Sequence, residues 1–575
     1  MKILLIQPPI EDFYQTSIRT QPIGLAYIAA SLKNQGYEVE ILDCQTEKRR
    51  SIPLPPGLSY LRDFYPFNDR SPFKLYTGFY HFGTDWEEIR KEIEESEADV
   101  FGISSSFTPY HGEALKIAGI IKEWDKKKIV VMGGSHVSGD PDEVLKSPFV
   151  DYIVLGEGEV RFPFLLEQIE KGGAKKIEKI DGIGYRKDGE VQINPLQNFI
   201  QNLDSLPHPG RELLELDRYR IGKKRSTMII TSRGCPHGCA YCSAHLVMGA
   251  SFRKRTPESI LQEMMACQRE YDIRVFDIED DNFTFDLGRA KRLMNLIIET
   301  FGEQNLELSA MNGISFSSLD EEILKLMKRA GFHTLNLSFV STDASTKEKM
   351  RRPEPITGFD KILEEAGRVG LNIIAYAILG IPGQTIEEMA DTLVYLMGER
   401  VLIGPSVYYP TPGTSLFEGC KRDGLLPSSA IQWRSSALPI ETKEFDRLDI
   451  ATLLRLTRVI NFIKGKMDQR ELDEGMTWKE ILEALSDKVK ARVEGEVEDK
   501  GEVKAEVKNF TFCKRDDVTT WVDLLLLLLR EKSFFSLRRV SGKDFSILKE
   551  KTSRKVLDYF LGNAWGKPIL KGRCD

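Results

Sequence analysis

The 575-residue sequence predicts an α/β protein in three parts. Three observations carry that prediction. Residues 1 to about 170 alternate short, nearly continuous apolar runs with segments of helical spacing, which describes a parallel sheet covered on both faces. The same alternation resumes from about Thr227 to Pro410 as six strand–helix units, enough for an open parallel barrel. From residue 411 the pattern turns mainly helical. The predicted parts are a doubly wound sheet domain over 1–175, a hairpin and linker over 176–222, a partial (β/α)6 barrel over 223–420, and a mainly helical C-terminal domain over 421–575.

In the first part, Lys2–Gln7 is an apolar strand and Ile23–Asn34 has helical spacing that ends at Gly36. Val39–Asp43, Asp99–Ser105, Ile129–Gly134 and Tyr152–Gly156 are the next strands. Residues 45–85 interrupt them with Pro, aromatic and charged residues and read as a long, partly ordered insertion. Residues 181–194 read as a hairpin turning at Lys187-Asp188-Gly189. The barrel strands are predicted at Thr227–Ser232, Arg274–Glu279, Leu306–Ala310, Thr334–Phe339, Ile373–Leu379 and Val401–Tyr408. Helices are predicted between them at Pro257–Tyr271, Leu287–Thr300, Asp320–Arg329, Phe359–Val369 and Ile386–Met397.

Composition narrows the class. Hydrophobic residues at 41% and charged residues at 29% are ordinary for a globular chain. With 80 Lys and Arg against 87 Asp and Glu, the net charge is −7, which argues against wholesale nucleic-acid binding. No apolar stretch approaches the roughly 18 residues of a membrane span. The six leucines from Leu524 to Leu529, closed by Arg530, fall far short of it. The N-terminal apolar run is too short for a signal peptide and reads as a first strand, so the cytoplasm is the expected compartment. Residues 486–508, dominated by charge of both signs, read as a solvated helix or linker. Arg530 to Asp575 carries twelve Lys and Arg against five Asp and Glu, with aromatics interleaved. That tail reads as a small helical domain with a basic face; contact with a membrane surface or polyanion is the alternative.

In a doubly wound sheet, ligands sit at the carboxyl ends of the strands. Here those ends read Gln7-Pro8-Pro9, Asp43, Ser104-Ser105-Ser106, Gly133-Gly134-Ser135-His136 and Gly156-Glu157-Gly158-Glu159. Small and polar residues at five ends in register predict a ligand crevice.

The sharpest signal is Cys235-x3-Cys239-x2-Cys242, directly after a predicted strand. Three thiolates on one tight loop can hold three irons of a cubane and leave the fourth iron open to a small molecule bearing an amine and a carboxylate. Zinc, with His237, His245 or Cys267 as fourth ligand, is the alternative, but zinc sites usually show a second spaced pair that is absent here. Cys44, Cys267, Cys420, Cys513 and Cys574 are scattered and read as buried or incidental thiols.

These three cysteines, with Tyr241 before the last, resemble the cluster motif of the radical S-adenosylmethionine superfamily. Further marks follow in order: Asp277-Ile278-Glu279-Asp280-Asp281-Asn282 after the second barrel strand, Gly380-Ile381-Pro382-Gly383-Gln384-Thr385 after the fifth, and Tyr409-Pro410-Thr411-Pro412-Gly413-Thr414 after the sixth. The strand ends of the first part, with Pro22-Ile23-Gly24-Leu25, are similar to the cobalamin-binding members of that superfamily. The resemblance spans about residues 1–420. It implies a Rossmann-like (flavodoxin-like) cobalamin-binding domain joined to a partial radical S-adenosylmethionine barrel.

The resemblance implies specific residues. A 4Fe-4S cluster falls to Cys235, Cys239 and Cys242. Cobalamin falls to Gln7, Pro8, Pro9, Ser104, Ser105, Gly133, Gly134, His136, Gly156 and Glu157. Tyr241, Asp280, Asp281, Ser341, Gly380 and Pro382 fall near the cluster and S-adenosylmethionine. No histidine–cobalt bond is expected, because Gly134-Ser-His136-Val-Ser-Gly139 has Gly where the Asp-x-His-x-x-Gly motif has Asp and follows the fourth strand instead of the first. Val340 stands where many relatives carry a Glu close to S-adenosylmethionine, which marks a divergent subgroup.

The implied reaction is reductive cleavage of S-adenosylmethionine to a 5′-deoxyadenosyl radical and methylation of an unactivated carbon of an organic substrate through methylcobalamin. Radical cyclisation, ring contraction or oxidation is the alternative chemistry. A non-catalytic cobalamin-binding sensor and an RNA-modifying enzyme are alternatives of other classes. The implied electron donor is a flavodoxin or ferredoxin. Tyr408, Tyr409, Arg351 and Arg352 lie at strand ends or loops where they could contact substrate, or serve as packing and a solvated turn.

Overall fold

The computed structural model describes residues 1–14, 21–45, 48–172, 174–487, 511–513, 517–541 and 544–571. Most of the charged run 486–508 lies outside the described residues, as do 542–543 and 572–575 of the basic tail.

Seven strands form the first sheet, in the order Glu190–Ile193, Ile183–Lys187, Tyr152–Val154, Ile129–Gly133, Val100–Ser104, Lys2–Gln7 and Glu38–Asp43. The last five are parallel. The hairpin at Ile183–Lys187 and Glu190–Ile193 adds two antiparallel strands at one edge. Counted along the chain, the parallel strands lie 2-1-3-4-5, so the order reverses between Lys2–Gln7 and Val100–Ser104. The strands are buried because helices cover both faces; Leu5, Ile6, Val100 and Phe101 are fully enclosed.

The insertion over 45–85 is built around its own small sheet. Ile10–Asp12 and Arg49–Ile52 pair antiparallel with Phe79–Phe82 between them. A 3-10 turn at Pro56–Asp63 follows. Phe13, Tyr65, Tyr76 and Phe79 pack edge to face, with ring centroids 5.0–5.7 Å apart.

The second unit is the expected six-strand open barrel. Lys224–Ile229, Ile273–Ile278 and Glu307–Ser309 are parallel. Thr334–Val340, Asn372–Leu379 and Leu402–Val407 form a second parallel set. Single bridges Leu308–Phe332 and Ile314–Leu337 join the two halves. Helices Pro257–Tyr271, Leu287–Phe301, Glu321–Ala330, Ile356–Arg368 and Ile386–Gly398 lie between the strands. An open barrel leaves two edges with unpaired backbone groups. At the first edge, the Gln21 carbonyl accepts from the Thr227 hydroxyl at 2.7 Å and the Met228 N–H at 2.9 Å. At the last, the Asn461 side chain accepts from Ile403 N–H at 3.0 Å and donates to Ile403 O at 2.8 Å.

Asn461 belongs to helix Arg447–Asp468, whose start is closed by a capping box between Asp446 and Asp449. Lys464, one turn on, donates to the carbonyls of Leu396, Glu399 and Val401 and so closes the C-terminus of helix Ile386–Gly398. Beyond it the chain is mainly helical, with Asp517–Glu531 and Arg554–Ala564, as expected. It also contains an antiparallel sheet in the order Thr511–Cys513, Asp544–Lys549, Phe535–Ser541, which the helical reading did not anticipate. Five of the six leucines from Leu524 to Leu529 are buried. Among the described residues of the basic tail, Lys532, Arg538, Lys555 and Lys571 pair with Asp558, Glu550, Asp449 and Glu399. Among the described residues no helix is long and apolar enough to cross a membrane.

Candidate functional site

A cavity of about 310 Å³ opens at the carboxyl ends of the parallel strands, at the point where their order reverses. Gln7, Pro8, Pro9, Ser104, Gly133, Gly134, Gly156 and Glu157 line it, as the strand-end reading predicts. So do Gly24, Phe107, Tyr110, Arg233 and Met248, which that reading did not select. A Cβ placed on Gly24 would meet no atom within 4 Å, so it would project into the cavity. The volume suits one arm of a ligand as large as cobalamin. The mixture of apolar walls with Gln, Ser and backbone groups suits an amide-bearing one.

Two predicted residues sit elsewhere. The Ser105 hydroxyl meets His111 Nδ1 at 3.0 Å, and His136 Nδ1 meets the Thr108 hydroxyl at 3.1 Å. The two imidazoles pack with ring centroids 4.2 Å apart behind the strand ends, outside the cavity lining. Burial pushes His136 down to about 3 and His111 down to about 4, so both rings are neutral at pH 7.

The cysteine loop follows the first barrel strand. Gly234, just before Cys235, has φ +81, and a Cβ there would lie 2.3 Å from Ser251 O. Only glycine permits that entry. Asp281 accepts from Gly234 N–H at 2.9 Å. Asp280, almost fully buried, accepts from Thr231 N–H at 2.6 Å and from the hydroxyls of Thr231 and Ser232. Asp280 is therefore a brace beneath the loop. Leu416 N–H and the Ser415 hydroxyl donate to Ala240 O at 3.0 and 3.3 Å, which fastens the loop to the segment after Pro412-Gly413-Thr414.

The thiols of Cys235, Cys239 and Cys242 are unbridged and partly exposed. Burial raises Cys235 and lifts Cys242 to about 11, so thiolates at these two positions need a strongly cationic group to hold them. Among the described residues no three His, Cys, Asp or Glu converge as one ion would require. Three thiols on one loop are the ligand set that three corners of a cubane take.

Behind the loop, Asp277 and Glu279 lie two residues apart, on one face of their strand. Burial and the neighbouring Asp277 push Glu279 up to about 8. Asp277 accepts from the Ser309 hydroxyl at 2.7 Å, and the Tyr376 hydroxyl donates to Asn336 Oδ1 at 3.3 Å. Side chains from four successive strands thus form a polar belt; the sequence reading singled out Asp277 and Glu279 at the end of the second strand but not Ser309, Asn336 and Tyr376. Alternation alone could have found them, as polar residues interrupting apolar strands.

The remaining predicted residues divide. Tyr241, half-buried, stands beside Cys239 and Arg352. The Ser341 hydroxyl is buried against Thr392 and receives Asp343 N–H at 3.0 Å, so it faces helix Ile386–Gly398. Gly380 N–H points at Met389 Sδ, and a Cβ there would meet Ile450 at 3.3 Å. Pro382 belongs to the same turn, whose Ile381 N–H donates to Gln384 at 2.8 Å. Val340 has φ +69 within a bulge between Ser338 and Val340, a strained conformation for a β-branched residue. Tyr408 is buried and meets the Cys420 sulfur at 3.7 Å, so it is packing; Tyr409 stays partly exposed.

Two family models match the chain: the B12 binding domain over residues 76–166 and the radical SAM superfamily over residues 229–396. An uncharacterized methyltransferase of Pyrococcus horikoshii is 28% identical over 82% of this chain and 95% of its own length. A cytidylyl-2-hydroxyethylphosphonate methyltransferase of Streptomyces wedmorensis is 27% identical over 74% of this chain and 82% of its own. Among solved structures, the radical S-adenosylmethionine methyltransferase TsrM of Kitasatospora setae, with cobalamin and a [4Fe-4S] cluster bound, superposes with a TM-score of 0.56. That match has 19% identity over 73% of this chain and 75% of the other, a likeness of fold.

Proposed function

We propose that this chain, which belongs with the cobalamin-binding radical S-adenosylmethionine enzymes, methylates an unactivated carbon of an organic substrate. The observation that carries the reading is the placement of the cavity and the thiol loop. Arg233, two residues before Cys235, lines the cavity and pairs there with Glu157 at 2.8 Å and Glu159 at 2.5 Å. The two cofactor sites therefore share a wall. We assign the cavity residues Gln7, Pro8, Pro9, Ser104, Gly133, Gly134 and Gly156 to cobalamin, and Cys235, Cys239 and Cys242 to the cluster. The boundaries 175, 222 and 420 divide the cobalamin, linker, barrel and C-terminal parts.

When bound, cluster and cobalamin supply the one-electron and methyl-transfer chemistry that side chains lack. The chain's own residues do the rest. Asp280 and Asp281 fix the root of the thiol loop. Glu157 holds Arg233 and Arg253, which would repel each other as cross-strand neighbours. The protonated Glu279 beside Asp277 offers the barrel lumen one shared proton and several acceptor oxygens. Phe107, Met311 and Tyr409, each more than a third exposed, present apolar surface. The proposal includes a flavodoxin- or ferredoxin-type electron donor and a cytoplasmic setting.

The test is anaerobic. Protein reconstituted with iron, sulfide and hydroxocobalamin receives methyl-deuterated S-adenosylmethionine, reductant and a pool of small metabolites. Deuterated methyl on carbon in a product, lost in Cys239→Ala, is the expected result. Label found only on oxygen or nitrogen, and unaffected by the substitution, would overturn the reading.

A further inference from the structure

Arg352 stands beside the thiol loop although it lies 113 residues from Cys239 in sequence. Its Nη1 points at Cys239 Sγ at 3.8 Å. Its Nη2 donates to the Ser315 hydroxyl at 3.2 Å, and Nε lies 3.2 Å from Glu354 Oε1. The guanidinium is 8% exposed. The groups facing it include one cysteine sulfur, one hydroxyl, one carboxylate and the Tyr241 ring, with the His237 imidazole close by.

The turn that carries Arg352 is bound to the same loop twice more. Met350 O accepts from Ala240 N–H at 3.3 Å, and the Arg351 guanidinium donates to Gly238 O at 3.2 Å. The turn itself is tied down: Arg352 N–H donates to Lys347 O at 2.7 Å, and the Lys347 ammonium donates to Glu354 O at 2.8 Å. Arg351 takes φ +57 to make it. A turn so braced holds one guanidinium against one chosen sulfur.

We infer that Arg352 is a positioning residue that sets the reduction potential of a cluster held on Cys239. The inference rests on reading the thiol loop as a cluster site. A hydrogen bond to a ligating sulfur and a nearby positive charge both stabilise the more negative, reduced state of an iron–sulfur cluster. The planar fork matters as well as the charge. It spans Cys239, Ser315 and Glu354 at once, which a lysine ammonium on a flexible stem cannot do.

The experiment is a potentiometric titration of the anaerobically reconstituted protein, without S-adenosylmethionine, followed by electron paramagnetic resonance. Iron and sulfide per chain are measured on every sample. Arg352→Gln at wild-type iron content is expected to titrate at a more negative potential, with Arg352→Lys between it and wild type. An unchanged potential in Arg352→Gln at full iron overturns the inference. If Arg352→Gln holds no iron, Arg352→Lys decides: a negative shift supports the inference and a wild-type potential overturns it. Failure of the underlying cluster reading is distinct, because wild type itself would then hold no iron.

Discussion

Gly24 sits on helix Ile23–Asn34 and faces the cavity at the strand ends. Replacing it tests the cavity without touching the core. Gly24→Leu fills open space, and leucine favours a helix over glycine by up to about 1 kcal/mol. The expected outcome is an unchanged or slightly raised melting temperature with loss of cobalamin retained through gel filtration. His136 makes a prediction about pH. Its imidazole is held near 3 and that of His111 near 4, against an ordinary 6.5. Between those values and 6.5 the unfolded chain takes up protons that the folded chain refuses, so this contribution to stability is whole above pH 6.5 and is lost as pH falls toward 4. His136→Gln removes one such uptake. Urea midpoints at pH 7 and pH 4.5 should differ less in the variant than in wild type. Residues whose role is local were legible in the sequence, as the spacing of Cys235, Cys239 and Cys242 is. Asp280 was legible as a conspicuous carboxylate, but its direction, under the loop and into Thr231 and Ser232, depends on which way the strand end turns. Arg352 was legible as a loop arginine that could contact substrate, but its place beside Cys239 was not, because that partner lies on another strand's loop.

At the scale of elements, the open barrel depends on what closes its edges. Asn461 satisfies both backbone groups of Ile403. Asn461→Ala leaves a donor and an acceptor unpaired on a half-buried edge and should cost about 2 kcal/mol. The check is a chemical-denaturation midpoint, with Asn461→Gln as a longer amide that recovers part of the loss. The barrel strands were readable because each is a short apolar run bounded by a helix of regular spacing. Helix Pro257–Tyr271 begins and ends where the periodicity places it, and Leu287–Phe301 differs by one residue. The sheet of Ile10–Asp12, Phe79–Phe82 and Arg49–Ile52 was not readable. Its strands are three or four residues long, and Arg49 and Arg50 face solvent, so alternation has no room to show. Phe535–Ser541 and Asp544–Lys549 were hidden differently, because their arginines and lysines read as a basic helical face.

Across the whole molecule, charged groups taken out of water join the parts. Glu157, Glu159, Arg233 and Arg253 are all buried between the sheet domain and the barrel, and Glu157 also accepts from Ile200 N–H in the linker at 2.8 Å. Asp12, on the strand that pairs with the insertion, binds Arg434 at 3.1 Å and accepts from Ser436 and Tyr110. Buried pairs of this kind contribute little net stability against apolar replacements, but removing one partner is costly, which favours one relative placement of the parts. That placement makes Arg233 both a wall of the cavity and the lead-in to the thiol loop, which joins the two sites. The most direct test is the cofactor content of the anaerobically reconstituted protein, read together with the electron paramagnetic resonance spectrum of its reduced cluster before and after S-adenosylmethionine. The account predicts about four irons and about one cobalamin per chain and a spectrum that changes when S-adenosylmethionine is added. Bound zinc without iron, or an iron cluster whose spectrum ignores S-adenosylmethionine in a protein that retains no cobalamin, would contradict it.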